Sequence, residues 1–202
     1  MMKKWLTAAV CSMMVAAPAG MALAQTTAPA TTPGTAATGA RADYDAAVKQ
    51  ADADYKAASA KCDGMKDNAK DVCKAEAKRD RDVAKAQAEA RRDGTQKSMA
   101  KAEKTKADRD YDVAKEMCDD KTGNDKDVCK KDAKAAHEKA LTAAKVDKAA
   151  ATGSRSDVAE ARADARKDTT DAAYKADKER CDAMSGDAKD KCQADVKAKY
   201  GK

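Results

Sequence analysis

The stretch CDGMKDNAKDVC at residues 62–73 decides the fold, because two diverged copies of it follow, CDDKTGNDKDVC at 118–129 and CDAMSGDAKDKC at 181–192. In each copy ten residues separate two cysteines, an aspartate follows the first cysteine, and a tyrosine stands seven residues before it. The three tyrosines are Tyr55, Tyr111 and Tyr174. The copies begin at positions 62, 118 and 181, at similar intervals, and their agreement indicates an internal repeat.

The composition around the repeats favours helices. From residue 34 onward the chain has no proline and consists mostly of Ala, Lys, Asp, Arg and Glu, a mixture dominated by helix formers. Glycine is unfavourable inside a helix and common just beyond its end. The glycines at 64, 94, 123, 153 and 186 stand roughly one helix length apart. The pattern therefore predicts six helices separated by five turns, the last helix being short.

Apolar residues recur in steps of four and three, which predicts narrow, alanine-rich seams of the coiled-coil kind that contain the cysteines. The predicted seams are Tyr44, Val48, Ala51, Tyr55, Ala58 and Cys62; Ala107, Tyr111, Ala114 and Cys118; and Cys129, Ala133, Ala136 and Ala140. The third repeat departs from the pattern, because Asp177 stands where the other repeats have alanine.

The inserts between the cysteines predict turns. Good helix-capping residues, each followed three positions later by an aspartate of the next helix, stand at Asn68, Asn124 and Asp187. The first cysteine then ends one helix and the second lies near the start of the next. An antiparallel pair would bring such cysteines within the roughly 4.4–6.8 Å between Cα atoms that a disulfide needs. Each bridge would contribute about 3 kcal/mol.

Six cysteines allow 15 pairings, and the short separation favours local ones. The predicted disulfide residues are Cys62, Cys73, Cys118, Cys129, Cys181 and Cys192. We therefore predict an all-α protein of three tandem antiparallel helical hairpins, each closed by a local disulfide, over residues 41–93, 95–152 and 154–202. We leave open whether the hairpins stack, remain separate like beads, or merge into longer rods through the glycines at 94 and 153.

The composition argues against an enzyme. Of 202 residues 51 are alanine, phenylalanine is absent, and the only histidine is His137. Such a chain buries little apolar area and is poorly supplied for acid–base or metal chemistry. We therefore predict no catalytic residue, no cofactor and no metal site. We expect His137 to be solvated, beside Lys134 and Glu138.

The cysteines and methionines also have metal and redox interpretations. Structural zinc sites usually place cysteines two to four residues apart, and redox enzymes favour two intervening residues, whereas ten separate these pairs. Met65 and Met184 would suit copper, but the middle insert has Lys121 at that position, so packing over the turns is expected. Nucleic acid is an unexpected partner, because acidic residues interrupt nearly every basic run.

The N-terminal segment predicts export. Lys3 and Lys4 precede a short apolar run, and Ala22-Leu23-Ala24 suits a signal peptidase, so residues 1–24 are a predicted signal peptide cleaved before Gln25. Removing the two lysines lowers the net charge from +6 to +4. A retained membrane anchor is the alternative. Residues 25–40, rich in Thr, Ala and Pro, predict a disordered spacer, and six remaining cysteines indicate an oxidising compartment.

Three segments, Tyr55 through Lys74, Tyr111 through Lys130 and Tyr174 through Cys192, resemble exported Ala/Lys/Asp-rich bacterial proteins of unknown function. Those proteins are often labelled TolA-like cell-envelope proteins. The resemblance implies a periplasmic location and association with the envelope, and it supplies no catalytic residue. TolA proper has a retained transmembrane anchor and a globular C-terminal domain, and neither is expected here.

These observations favour a non-enzymatic exported envelope protein, a structural or protein-interaction module whose partner is an unidentified envelope protein or surface. No transmembrane segment is expected in the mature chain, and the oligomeric state is left open. The alternatives are a periplasmic stress protectant or small chaperone, and then a thiol redox carrier.

Overall fold

The computed structural model describes residues 33–202, with side chains from residue 38, and this part of the chain is almost entirely helical. Its helices are α1 (Pro33–Cys62), α2 (Asp67–Asp93), α3 (Gln96–Asp119), α4 (Gly123–Thr152), α5 (Arg155–Cys181) and α6 (Gly186–Tyr200). The predicted six helices and five turns are confirmed. The predicted signal peptide and residues 25–32 of the predicted spacer lie outside the described residues.

Helix α1 begins earlier than the sequence predicts. Residues 33–40, predicted as part of the disordered spacer, form its first turns. Proline suits the first position of a helix, where its missing N–H would have no partner within the helix. The alanines that follow, Ala36, Ala37 and Ala40, then favour continuation of the helix.

Each described helix packs only against the helices that precede and follow it in sequence. The packing of α2 on α3 is as extensive as that of α1 on α2, so the hairpins stand side by side in one continuous layer. The pairing of α5 with α6 is the smallest, because α6 has only 15 residues. Stacked hairpins are therefore the correct alternative, and both the beads and the longer rods are wrong.

The joints between hairpins explain why no rod forms. Gly94 ends α2 in the left-handed conformation with φ 59°, which costs an ordinary residue roughly 1–2 kcal/mol. Thr95 then caps α3, its hydroxyl accepting a hydrogen bond from the Ser98 backbone N–H at 3.1 Å. At Gly153 a Cβ atom would stand 2.7 Å from the Ala149 carbonyl oxygen. Both glycines are therefore required for the chain to turn.

The turns within the hairpins use backbone conformation in place of the predicted side-chain caps. The first residues of α2, α4 and α6 all have positive φ (Asp67 49°, Gly123 53°, Gly186 55°). The cap positions are Lys66, Thr122 and Ser185, and none of these three forms a side-chain cap hydrogen bond. The prediction of caps at Asn68, Asn124 and Asp187 was wrong, because the tight reversal starts each helix two residues earlier than predicted.

The core is a set of narrow seams made mainly of alanine and cysteine. The predicted seams on α1 and α3 are buried or half-buried throughout, as expected. On α4 the predicted seam is wrong after Ala133, because Ala136 and Ala140 are exposed. On this part of α4 the contact with α3 is made by His137, because its ring is large enough to reach the neighbouring helix.

Candidate functional site: the closed ends of the hairpins

Three disulfides close the hairpins in the predicted local pairing. The Cα–Cα distances are 5.6 Å for Cys62–Cys73, 5.6 Å for Cys118–Cys129 and 5.7 Å for Cys181–Cys192. The first cysteine of each pair is at most 1% exposed, whereas the second is half-buried. Small residues along the seam let the backbones approach closely enough for these bonds.

This burial bears on the reactivity of the bridges. An attacking thiolate can approach only the half-buried second cysteine, so the first would have to leave as a thiolate. That thiolate would form in a buried position beside the negative end of a helix, where both burial and the helix dipole disfavour it. The arrangement favours a structural bond over a reactive one.

An ion pair spans each closed end and explains two repeated sequence features. The aspartate after the first cysteine meets the lysine seven residues later, at 3.8 Å for Asp63–Lys70, 2.9 Å for Asp119–Lys126 and 2.8 Å for Asp182–Lys189. Two of these aspartates have a second lysine, Lys74 at 3.0 Å and Lys130 at 3.1 Å. The repeated residues thus tie the two helix ends together. We call this the turn ion pair.

The turn ion pairs favour the charged form of their aspartates. The hydrogen bond from Lys74 holds the pKa of Asp63 below its usual value of 3.8. Hydrogen bonds from Lys126 and from Lys189 lower the pKa values of Asp119 and Asp182 in the same way. All three carboxyl groups are therefore anions at neutral pH.

A second repeated contact lies about two helical turns from each disulfide. The repeat tyrosine packs on a planar side chain of the next helix, with centroid distances of 4.2 Å from the Arg81 guanidinium to Tyr55, 4.7 Å for Tyr111–His137 and 5.8 Å for Tyr174–Tyr200. Each partner stands at one constant offset from its tyrosine along the chain (55 to 81, 111 to 137, 174 to 200). We call this the cross-hairpin contact.

The prediction for His137 was wrong. Its side chain is only 15% exposed, its ring stacks on Tyr111 at an interplanar angle of 12°, and its Nε2 lies 2.8 Å from Asp108 Oδ1. Its neighbours in sequence, Lys134 and Glu138, are charged and do not reveal its packing. The constant offset from the repeat tyrosine, which it shares with Arg81 and Tyr200, was the signal that identifies its role.

A repeated aspartate supports the same helix pairs. The residue ten positions before the first cysteine is aspartate in all three repeats, and each pairs with a nitrogen beyond the turn. The distances are 2.6 Å for Asp52–Lys85, 2.8 Å for Asp108–His137 and 2.7 Å for Asp171–Lys202. Polar contacts therefore set the register of seams whose small side chains interlock weakly.

Asp177 gives the third hairpin a polar seam. Its Oδ2 accepts hydrogen bonds from Lys199 Nζ and from the Tyr200 hydroxyl, both at 2.7 Å. The Lys199 hydrogen bond is the main cause of the lowered pKa of Asp177. The carboxylate thus replaces alanine packing with hydrogen bonds to the end of α6, which itself has no fully buried residue.

The methionines do not pack over the turns as predicted. Met65 is 44% exposed and Met184 is 47% exposed, at equivalent positions of the first and third inserts. Met99 and Met117 on α3 are exposed to a similar degree. The surface of the layer therefore carries isolated apolar groups among its charges.

The described residues contain no cluster of three or more His, Cys, Asp or Glu side chains suited to a metal ion. None of the described helices combines the length and the apolar character that a membrane span requires. What the closed ends can do chemically is hold helices in register and present charged faces. Comparisons with protein-family models, with curated proteins and with solved structures found no match.

Proposed function

We propose that the protein is a non-enzymatic, exported component of the cell envelope that acts as a structural or protein-interaction module. The observation that carries this proposal is the set of three cystines, one at each hairpin turn, each with one sulfur enclosed. Disulfides persist in oxidising compartments outside the cytosol. A chain whose hairpins depend on them is suited to such a compartment.

The layer leaves two broad faces for partners. On α2, Arg81 and Lys85 contact α1, whereas Asp82 contacts Arg109 of α3. Adjacent helices therefore lie on different sides of α2, and charged side chains between these contacts, such as Lys78, are exposed to solvent. A partner with complementary charge would be held over several helices at once.

Location and redox state test the exported part of the proposal. The full chain would be expressed with its own N-terminus, the cells fractionated, and thiols trapped with an alkylating reagent before lysis. We expect the protein in the periplasmic fraction, beginning at Gln25, with three closed bridges. A cytoplasmic protein with six free thiols would contradict the proposal.

Binding tests the interaction part. Photo-crosslinking residues would replace exposed side chains such as Lys78 and Lys134, and captured envelope proteins would be purified and applied to the immobilised oxidised protein. We expect specific retention of at least one. The control is a variant with all six bridge cysteines changed to serine, which should retain less. If no purified envelope protein is retained, the proposal of a protein-interaction module is contradicted.

The exposed methionines favour a second candidate, a small periplasmic chaperone. Four methionines on a charged surface provide flexible apolar contacts for unfolded chains: Met65, Met99, Met117 and Met184. A chaperone should suppress aggregation of a reduced client at stoichiometric ratios, and a variant with the four methionines changed to serine should not. Equal suppression by the variant, or none by either protein, would remove this candidate.

A further inference from the structure

The two ends of the layer expose surfaces that the repeat buries elsewhere. The leading edge is the side of an odd-numbered helix that faces the preceding helix. Aligned by the cysteines, it comprises Ala102, Arg109, Val113 and Glu116 on α3, Ala165, Ala172, Ala176 and Glu179 on α5, and Ala46, Ala53, Ala57 and Ala60 on α1. On α3 and α5 all of these are buried or half-buried, and on α1 all four are exposed.

Helix α6 shows the complementary surface. The trailing edge is the side of an even-numbered helix that faces the next helix, and it comprises Asn68, Glu76 and Arg79 on α2, Asn124, Asp132 and Ala135 on α4, and Asp187, Asp195 and Ala198 on α6. The residues on α2 and α4 are half-buried, whereas the three on α6 are exposed. The layer therefore ends in two unlike edges that belong to the same kind of interface.

We propose that copies of this chain join end to end, with the trailing edge of α6 in one copy packed on the leading edge of α1 in the next. Within the layer that interface already forms twice, between α2 and α3 and between α4 and α5. A contact between unlike edges leaves one edge of each kind free, so copies continue to add in a row unless the rotation between them closes a ring. This inference is independent of the proposed envelope function.

The charges at the two ends are complementary. Between α4 and α5, Asp132 forms an ion pair with Arg180. The repeat places Asp195 of one copy and Lys61 of the next at these two positions, which preserves the opposite signs. Next to this ion pair, Lys131 of α4 pairs with Glu179 of α5. At the joint between copies the equivalent residues are Ala194 and Ala60, which are small and allow close approach.

The size of the contact predicts its strength. Helix α6 has 15 residues against 27 in α2, so a joint between copies covers less of the partner helix than the joint between α2 and α3. An interface of one short, alanine-rich helix falls at the weak end of specific protein contacts. The rows should therefore lengthen with protein concentration and shorten on dilution.

Sedimentation velocity of the oxidised full chain over a concentration series tests the proposal. We expect species larger than a dimer at high concentration. Lys61→Asp and Asp195→Lys should each weaken association about tenfold, since each places like charges at the joint. An equimolar mixture of the two variants should restore it, because every joint in a mixed row again pairs opposite charges.

Three further variants serve as controls for this experiment. Lys97→Asp and Glu160→Lys make the same changes of charge at exposed positions away from both edges, and they should associate like the unmodified chain. Ala57→Arg lies on an exposed surface of the single molecule, so it should fold normally while blocking the joint. A monomer that persists to millimolar concentration, a dimer that grows no further, or association unaffected by Ala57→Arg would overturn the proposal.

Discussion

Three planar side chains, Arg81, His137 and Tyr200, occupy one repeat position and each lies against a tyrosine of the preceding helix. Their charges differ, so what the position requires is a planar group that packs on the tyrosine ring, stacked in the case of His137 and edge-on in the case of Tyr200. In a seam with few large side chains, a tyrosine contributes more buried area than several alanines. These residues therefore make the pairing of the helices specific, whereas alanine lets the helices approach each other closely.

Removing the first of these contacts should cost a measurable amount. In a double-mutant cycle of Tyr55→Ala and Arg81→Ala, we expect a coupling energy of about 0.5–1 kcal/mol, typical of a partly exposed cation over an aromatic ring. Urea unfolding followed by circular dichroism provides the free energies. A parallel cycle with Arg91→Ala, at an exposed position further along α2, should show no coupling to Tyr55. Equal coupling in both cycles would contradict a specific contact.

The turn ion pairs make the hairpins sensitive to acid. Because the folded pKa of Asp119 is lowered, its stabilising contribution is complete above the unfolded pKa and is lost as the pH falls through the folded value. Stability should therefore fall as the pH drops below about 4, the ordinary pKa of an aspartate, where these carboxylates take up protons.

Thermal unfolding across this pH range tests the acid response. Asp119→Asn should lower stability at neutral pH and flatten the dependence on acid, because the titrating group is gone. Asp120→Asn removes the neighbouring carboxylate and controls for net charge. If the Asp119 variant keeps the full acid slope, the turn ion pair is not its source.

At the scale of helices, the third hairpin differs most from the others. Its second helix is short, has no fully buried residue, and is held by Asp177, by the tyrosine pair and by its disulfide. The first hairpin, by contrast, has two long helices with buried alanines on α2. The disulfide of the third hairpin therefore supplies a larger share of the stability of its helix pair.

Opening that disulfide should release α6. With Cys181→Ser and Cys192→Ser combined, we expect amide protection in α6 to be lost while α1 to α4 stay protected, because a bridge over so short a loop contributes about 3 kcal/mol. Hydrogen exchange with mass spectrometry measures this. The matched variant, Cys62→Ser with Cys73→Ser, should weaken α1 and α2 but leave both helical. Full protection of α6 in the first variant would contradict the argument.

The helices and disulfides could be predicted because their signals are local and repeated. Two cysteines separated by ten residues and a turn can meet only in a hairpin, and Gly94 and Gly153 interrupt runs that are otherwise free of strong helix breakers. The turn chemistry could not be predicted, because it depends on positive φ at Asp67, which a residue type alone does not specify. The cross-hairpin contact could be found only by comparing each tyrosine with positions in the following helix.

At the scale of the whole molecule, the interfaces between hairpins make one layer of three units. Ala102 is 8% exposed and packs with Ala86 and Ala90 at the joint between α2 and α3. No disulfide crosses this joint, since all three bridges lie within hairpins. The first hairpin is thus attached to the second by small side chains and by ion pairs.

A large residue at that joint should separate the hairpins without unfolding them. Ala102→Arg overfills the contact, which typically costs about 1–3 kcal/mol. We expect a larger radius of gyration in small-angle X-ray scattering with most of the helical circular dichroism retained. Ala143→Arg, at an exposed position of α4, should change neither quantity. An unchanged radius for Ala102→Arg would show that other contacts hold the joint.

Each described helix packs only on its sequence neighbours, and this restriction has a consequence for the history and the synthesis of the chain. Among the described helices no contact waits for a distant segment, so each hairpin can form as soon as its own residues have been synthesised. Duplicating one unit would lengthen the molecule without repacking any other. Growth by gene duplication then leaves its record as near-copies such as 62–73, 118–129 and 181–192.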